Sequence, residues 1–176
     1  MFLELGVPVY IADDRARELT NTSERIKIGI IELFGKEAYR QGELDRAYVA
    51  AKVFKDRSLL NDLNTIIHPV VGEDFLTWSR QQQAPYVIKE AAILFESGSY
   101  KGCDQIILVT ADLKERIRRI LLRDQTTKEE ILDRMANQWS DEKKSEMSDF
   151  IIENNQLEST RAQVERIHLQ LLEKSR

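Results

Sequence analysis

A near-continuous apolar run, Gln-Ile-Ile-Leu-Val-Thr at Gln105–Thr110, constrains the fold of this chain more than any other segment. A strand that is apolar at successive positions is typical of a parallel strand covered by helices on both faces. Further β-prone runs occur at Val7–Ile11, Tyr86–Ala91 and Phe150–Ile152, and segments with helical patterning separate them. Strands that alternate with helices predict an α/β fold with a parallel sheet covered by helices on both faces.

Helical patterning accounts for most of the remaining chain. It predicts helices over Arg15–Thr20, Ser23–Phe34, Asp45–Phe54, Ser58–Ile67, from Pro69 onward, Leu113–Arg123, Asp141–Met147 and the carboxyl terminus. Asp45 and Ser58 are predicted to be the N-caps of the helices that begin with them. We interpret residues 24–82 as a mostly helical insertion between two strands. In the last helix, Val164, Ile167 and Leu171 are expected to face inward. Composition shows no linker and no repeat, so we predict a single domain over residues 1–176.

Composition narrows the class of protein. The chain is 42% hydrophobic and 32% charged, which is typical of a globular domain. Its net charge of −4 argues against binding to nucleic acid or to an anionic membrane. The single cysteine, Cys103, excludes an internal disulfide framework, and no apolar run approaches the roughly 20 residues of a membrane span. We expect a cytoplasmic protein and predict no oligomeric state.

The segment Arg123–Gln138 has the pattern of a charged helical hairpin. Thr127 and Glu130 have the spacing of a capping box, so a helix is expected to begin there. Arg123 would end one helix and Arg134 would lie on the next. Two guanidinium groups on a short hairpin can close over phosphate oxygens, because each binds them through two parallel hydrogen bonds. The alternative interpretation is a solvated charge run.

Other polar residues follow predicted strands, where open α/β sheets place their ligands. Asp13 could accept a hydroxyl proton or sit in the outer shell of Mg²⁺, although Asp13 or Asp14 could also serve as a helix N-cap. Glu96 is a ligand contact or a surface loop residue. Asn154-Asn155 could donate to a nucleobase or form a turn. His68 could bind a ligand, but a lone histidine before proline is more often structural.

Taken in order, several motifs resemble those of dephospho-coenzyme A kinases over essentially the whole chain. They are Val9–Arg17, Leu44-Asp45-Arg46, Phe54, Leu63–Pro69, Leu94–Ser97, Leu122-Arg123-Asp124, Arg134–Gln138 and Asp149–Asn155. The resemblance implies the fold of a P-loop nucleoside-monophosphate-type kinase, with a core, a helical substrate-binding region at about 24–82 and a lid at about 123–138. It also implies transfer of the γ-phosphoryl group of ATP to the 3′-hydroxyl of dephospho-coenzyme A, with Mg²⁺ as cofactor.

The same resemblance assigns roles to individual residues. Asp13 matches the catalytic carboxylate. Arg123 and Arg134 match the lid residues that contact ATP in the family. Asn154 and Asn155 match the loop near the ATP base. The residues that match the substrate-binding side are His68, Arg46 and Glu96. No protein ligand for a metal is implied.

The chain departs from the family pattern at three places. Ile11 replaces one carboxylate of an Asp-Ala-Asp motif, and Ala92 replaces a proline. The 176 residues also contain no Gly-x-x-x-x-Gly-Lys-Ser/Thr loop, which supplies backbone amides, a lysine and a hydroxyl to ATP. Met1–Gly6 has the pattern of a last helical turn.

We therefore expect a piece of a longer kinase, with two unpaired strand edges and little activity by itself. The alternatives are another small-molecule or nucleotide kinase of the same architecture, and a coenzyme-binding domain without catalysis.

Overall fold

The computed structural model describes residues 1–175, apart from the side chains of Phe54 and Arg57. The Phe54 match noted above therefore lies outside the described side chains. The chain divides into two compact units, one of residues 8–92 and one of residues 1–7 with 93–175. The single domain over residues 1–176 stays a prediction.

The unit of residues 8–92 begins and ends with a strand. Its elements are β1 (Val9–Ile11), α1 (Ala12–Thr22), α2 (Glu24–Phe34), β2 (Tyr39–Arg40), β3 (Glu43–Leu44), α3 (Arg46–Lys55), α4 (Arg57–Arg80) and β4 (Ile88–Glu90). β1 and β4 pair in parallel, and Ile11 lies opposite Glu90 at their carboxyl ends. This parallel pair brings the start of α1 next to the end of β4.

The core of this unit lies between α2, α3 and α4. Ile26, Ile30 and Phe34 recur every four residues on α2 and are buried, with at most 4% of each side chain exposed. Ser23 caps α2 by accepting a hydrogen bond from the Ile26 amide. A Cβ atom on Gly29 would lie 2.9 Å from Cγ2 of Ile66, so glycine permits the close approach of α2 and α4.

Two features of this unit differ from the sequence predictions. A helix end was expected before Pro69, but α4 continues through it. Pro69 cannot donate to the Thr65 carbonyl, a loss of roughly 3 kcal/mol, yet Val70 and Val71 beyond it are buried and hold the helix against the core. The N-cap of α4 is Asp56 and not Ser58, because the Asp56 carboxylate accepts from the Ser58 amide.

A short antiparallel hairpin was also missed. β2 pairs with β3 inside the region predicted to be helical. Gln41 and Gly42 connect the two strands with φ of 52° and 88°, the backbone that tight hairpin turns require. The Gln-Gly pair was the only local signal for this turn.

The other unit contains the second parallel strand pair. Its elements are a 3-10 turn at Leu3–Leu5, β5 (Ile107–Thr110), α5 (Leu113–Arg123), α6 (Lys128–Ala136), α7 (Asp141–Ser145), β6 (Phe150–Glu153) and α8 (Leu157–Lys174). β5 pairs in parallel with β6. On α8 the predicted inward face is confirmed, since Val164, Ile167 and Leu171 are buried.

The predicted α/β class with parallel strands is confirmed. Within residues 1–175 the strands form three two-stranded sheets, so each of these strands pairs along one edge only. The two unpaired strand edges expected from the sequence stay a prediction. Among the described helices, none has the length and apolar character needed to cross a membrane.

Candidate active site

Asp13 lies where β1 passes directly into α1. β1 ends at Ile11 and α1 begins at Ala12, so no loop residue separates them. The N-cap position is Ile11, which has no side-chain capping bond. Asp13 and Asp14 lie inside the first helical turn, so the interpretation of either residue as the N-cap is wrong. Their carboxylates are nevertheless favoured there by the partial positive charge of the helix amino terminus.

Asp13 and Asp14 differ in their surroundings. Asp14 lies 3.9 Å from the Arg17 guanidinium, whereas no ion pair among the described residues involves Asp13. Asp13 is also exposed to solvent. An exposed, unpaired carboxylate at the carboxyl end of a parallel strand can accept a proton from a bound hydroxyl group.

Glu90 lies at the same end of the β1–β4 strand pair as Asp13. The sequence analysis did not identify it. Burial raises the pKa of Glu90, and the negative charges of Asp13 and Asp14 raise it further. Its position as the last residue of a strand was the signal that could have identified it. The three carboxyl groups therefore repel one another beside the β1–α1 junction.

Arg46 lies against α1, in the same unit as Asp13. Its Nη2 donates to the Arg17 carbonyl oxygen at 3.5 Å, one helical turn after Asp13. Arg46 begins α3, which Asp45 caps by accepting from the Tyr48 amide at 3.0 Å, as predicted. The cap thus fixes where α3 starts and directs Arg46 along α1.

His68 is half-buried in the middle of α4. Burial lowers its pKa, and the positive charge of Lys89 lowers it further. The imidazole is therefore neutral near pH 7, with one ring nitrogen as donor and the other as acceptor. Lys89 extends from β4 and places its Nζ 5.1 Å from the Phe75 ring centroid. The sequence did not indicate that Lys89 lies near His68.

A polar network joins α4 to both sides of the β1–α1 junction. The Tyr10 hydroxyl donates to Oδ2 of Asp74 at 2.7 Å. Arg15 donates to the same carboxylate through Nε at 3.0 Å and Nη2 at 2.7 Å. The Tyr10 ring packs against Phe75 and Trp78, with centroid distances of 5.2 and 5.3 Å. Tyr10 is only 2% exposed, so the network is anchored in the core.

The predicted charged hairpin at Arg123–Gln138 is present as the end of α5, a turn and α6; its role as a lid stays a prediction. Thr127 and Glu130 form the predicted capping box, with both reciprocal hydrogen bonds. Arg134 donates to the Thr126 hydroxyl at 2.9 Å. Arg123 forms two hydrogen bonds with Asp124 at 2.8 and 2.9 Å, and its side chain is 76% exposed. Both guanidinium groups are thus held by exposed contacts within the hairpin.

Asn154 and Asn155 follow β6 and lie against α5. Arg119 donates to the carbonyl oxygens of Asn154 and Asn155, at 2.7 and 3.3 Å. The Asn155 side chain accepts from the Asp112 amide at 2.8 Å. Arg118 and Arg119 together lower the pKa of Glu115 to about 2. The asparagine loop is therefore tied to α5, the first helix of the charged hairpin.

Glu96 contacts the segment that follows α6. Its Oε1 accepts from the Trp139 amide at 2.7 Å and lies 2.9 Å from the Lys144 ammonium. Although burial opposes ionisation, these hydrogen bonds lower the pKa of Glu96. Its Oε2 is buried without a hydrogen-bond partner in the described part of the chain. Glu96 thus joins the residues after β4 to both Trp139 and α7.

The predicted site residues fall into two groups. Asp13, Arg46 and His68 belong to the unit of residues 8–92. Asp13 lies on α1, and Arg46, which begins α3, contacts the same helix. The other unit contains Arg123, Arg134, Asn154, Asn155 and Glu96. Glu90, Lys89 and Asp74 were missed because their relation to the site depends on contacts between distant parts of the chain.

Comparison with known protein families matches residues 1–159 to the family Dephospho-CoA kinase. A dephospho-CoA kinase of Bacteroides fragilis is 36% identical over 152 residues, which cover 86% of this chain and 74% of that protein. One from Chlorobium chlorochromatii is 38% identical over 159 residues, covering 86% of this chain and 75% of that protein.

Two solved structures resemble the fold of this chain. A crystal structure from Thermus thermophilus matches with a TM-score of 0.85 at 30% identity, covering 96% of this chain and 86% of that one. A dephospho-CoA kinase from Campylobacter jejuni matches with a TM-score of 0.64 at 22% identity, over 94% and 85% of the two chains, which supports the fold alone. The resemblance predicted from the motifs is thus confirmed, and the chain belongs to the dephospho-CoA kinase family.

Proposed function

We propose that this protein phosphorylates the ribose 3′-hydroxyl of dephospho-coenzyme A with ATP, which gives coenzyme A and ADP and completes coenzyme A synthesis. Family membership supports this proposal. The observation that carries it is the position of Asp13, an exposed carboxylate without an ion pair among the described residues, at the carboxyl end of β1. A general base needs both properties, since it must be reachable and free to take a proton.

The reaction assigned to Asp13 is an in-line displacement. The 3′-hydroxyl oxygen forms a bond to the γ-phosphorus of ATP, and the bond from that phosphorus to the β–γ bridging oxygen breaks. The hydroxyl proton passes to the Asp13 carboxylate, and ADP leaves with the electrons of the broken bond. Positioning and charge stabilisation supply most of the catalysis in such reactions.

The other residues divide between the two substrates. We assign Arg46, His68 and Glu96 to dephospho-coenzyme A. Support comes from Arg46, which lies along the helix of Asp13, and from the neutral imidazole of His68. We assign Arg123 and Arg134 to the phosphates of ATP and Asn154 and Asn155 to its base. The exposure of the Arg123 guanidinium and the anchoring of the asparagine loop to α5 support these assignments.

Mg²⁺ fits this chemistry as a cation that is held largely by phosphate. Within residues 1–175 no three His, Cys, Asp or Glu side chains are grouped to hold a metal. Mg²⁺ commonly keeps several waters and binds through one or two carboxylates together with substrate phosphates. We assign no side chain of this chain to the ion. Bound to the phosphates of ATP, Mg²⁺ would neutralise part of their charge.

The 176-residue polypeptide has no Gly-x-x-x-x-Gly-Lys-Ser/Thr sequence. Such a loop supplies the backbone amides and the lysine that hold ATP phosphates. We therefore propose that this polypeptide, assayed alone, binds dephospho-coenzyme A but forms little or no product. Product at an ordinary kinase rate, without added sequence, would contradict this. Activity that appears after extension by a segment with such a loop would support it.

A ligand screen tests which phosphoryl acceptor the protein binds. Thermal unfolding is measured with dephospho-coenzyme A, AMP, other nucleoside monophosphates and shikimate, each at equal concentration. We expect stabilisation by dephospho-coenzyme A alone, since a ligand that binds only the folded state raises its melting temperature. Stabilisation by another acceptor instead would favour a different kinase of the same architecture. Binding without phosphorylation in the loop-extended protein would favour a coenzyme-binding domain.

The same proposal includes the location of the protein in the cell and its classes of partner. We place the protein in the cytoplasm, without a nucleic-acid or membrane partner, because its net charge is −4 and its basic residues are paired with acids at many positions. Fractionation of cells and electrophoretic mobility with nucleic acid would check this placement.

A further inference from the structure

Asp74 on α4 forms hydrogen bonds to residues on both sides of Asp13. The Tyr10 hydroxyl, three residues before Asp13, donates to its Oδ2 at 2.7 Å. Arg15, two residues after Asp13, donates to both carboxylate oxygens through Nε and Nη2. One carboxylate thus bridges the last strand residues before the junction and the first helical turn after it. The Asp74 side chain is 21% exposed, so this bridge is largely shielded from water.

The junction itself is short, and the buried side chains of Tyr10 and Ala12 also pack against Val71 on α4. β1 is only three residues long, and α1 follows without a loop and without a side-chain cap. Asp13 and Asp14 also face the charge of Glu90, which lies opposite Ile11 in the strand pair. Repulsion among three carboxyl groups favours movement of the first helical turn away from β4. A bond on each side of the junction opposes that movement.

The bond through Arg15 has a second consequence. The guanidinium is directed to Asp74 and, through Nη1, to Glu18 at 2.7 Å. It is therefore engaged away from Asp13, which keeps its carboxylate without an ion pair among the described residues. A free guanidinium two residues away would be a competing cation for the acidic residues of this turn.

We propose that Asp74 is a positioning residue, which holds the β1–α1 junction so that the Asp13 carboxylate meets the acceptor hydroxyl. This role rests on the proposed function of Asp13. Asp74 acts through Tyr10 and Arg15, and it does not itself contact the substrate.

The neighbouring residue provides a matched control. Glu73 also lies on α4 and also forms an ion pair with an arginine, Arg25, at 2.9 Å. Both side chains are more than 60% exposed, and Arg25 lies on α2 and not on α1. Glu73→Ala therefore removes an acid–arginine pair from the same helix and leaves the junction intact. Asp74→Ala, Asp74→Asn and Tyr10→Phe complete the series.

The first experiment needs no ligand. Hydrogen exchange of the amides in residues 10–16 and the NMR titration of the Asp13 carboxyl are measured at a temperature where all variants are folded. We expect Asp74→Ala to accelerate exchange in residues 10–16 by about tenfold or more, since hydrogen bonds to a charged group are lost there. The Asp13 titration midpoint is expected to change in the same variant. Glu73→Ala should change neither quantity.

The second experiment measures binding of dephospho-coenzyme A to the folded variants by calorimetry. We expect Asp74→Ala to weaken binding by about tenfold, with a smaller loss in Asp74→Asn, which keeps an acceptor for Tyr10. A purely structural role would lower the melting temperature and leave Kd and the Asp13 titration unchanged, and that result would overturn the proposal. If Asp74→Ala does not fold, Tyr10→Phe and Asp74→Asn decide between the same outcomes.

These outcomes separate this proposal from the proposed function. If the unaltered protein does not bind dephospho-coenzyme A, the proposed function fails, while exchange and the Asp13 titration still report on the junction. If it binds, and Asp74→Ala and Asp74→Asn bind equally well with an unchanged Asp13 titration, only the positioning role fails.

Discussion

The ammonium nitrogen of Lys144 lies 2.9 Å from Oε1 of Glu96, and the two side chains are only 10% and 15% exposed. Glu96 also accepts from the Trp139 amide directly after the lid. Loss of one member of a buried pair leaves the other charge without compensation. Glu96→Ala is therefore expected to lower the free energy of unfolding by about 2–4 kcal/mol in urea denaturation.

Glu146→Gln, an exposed change just after α7, is the control and should shift stability by less than about 0.5 kcal/mol. The substrate-binding role predicted for Glu96 requires a further effect. Glu96→Gln should then also raise the Kd for dephospho-coenzyme A. Equal stability of Glu96→Ala and the unaltered protein would contradict the role of the Lys144 contact.

The hydrogen bonds from Arg15 to Asp74 predict that the folded protein loses stability in acid. Hydrogen bonds from Arg15 lower the pKa of Asp74 below its ordinary value of 3.8, although burial opposes this. A carboxyl with a lowered folded-state pKa contributes stability that is full above the unfolded value and is lost as pH falls through the folded value. Between about pH 5 and pH 2 the unaltered protein should therefore lose more stability than Asp74→Asn.

Melting temperatures across this pH range check the prediction. Glu73→Gln serves as the comparison, because its pair with Arg25 is exposed and should add little at any pH. Parallel pH profiles for the unaltered protein and Asp74→Asn would show that the Arg15 bond does not favour the charged form.

Helix α6 depends on its capping box. The Thr127 hydroxyl accepts from the Glu130 amide at 3.2 Å, and the Glu130 carboxylate accepts from the Thr127 amide at 3.1 Å. Thr127→Ala should weaken α6 by about 1 kcal/mol, seen as faster hydrogen exchange over Lys128–Ala136. Thr127→Ser should restore protection, and Lys128→Ala should leave it unchanged. Unchanged exchange in Thr127→Ala would mean that buried Ile131 alone holds the helix.

The lid arginines are expected to act on ATP. In the protein extended by a phosphate-binding loop, Arg123→Ala and Arg134→Ala should each raise the KM for ATP by about tenfold, because charge-assisted contacts to phosphate are lost. Affinity for dephospho-coenzyme A should change by less than about twofold. Arg118→Ala is the control, since Arg118 is held by Glu115 on α5. A larger effect on dephospho-coenzyme A binding would mean that the lid serves the other substrate.

The sequence predicted contacts between residues that are close along the chain and missed contacts between residues that are far apart. The Thr127–Glu130 cap and the Asp45 cap depend on residues three apart, and both were predicted. The Tyr10–Asp74 bond joins residues 64 apart, and no local pattern indicates it. Pro69 was misread for the same reason, because Val70 beyond it is buried against α2 and Val71 against β1 and the start of α1. The family resemblance located Asp13, but the surroundings that leave it unpaired required the structure.

Asp13 and its neighbour Asp14 allow the most direct test of the proposed chemistry. Both lie in the first turn of α1 and both are exposed, but among the described residues only Asp14 forms an ion pair, with Arg17. In the loop-extended protein, Asp13→Asn should lower kcat by about two to four powers of ten, the usual effect of removing a general base. Asp14→Asn should lower kcat by less than about threefold, since it removes equal charge from the same turn without removing the base. Unfolding in urea is measured for both variants, because a role confined to the helix end would reduce stability equally in the two. Similar kcat values for the two variants would therefore assign the proton transfer to another group.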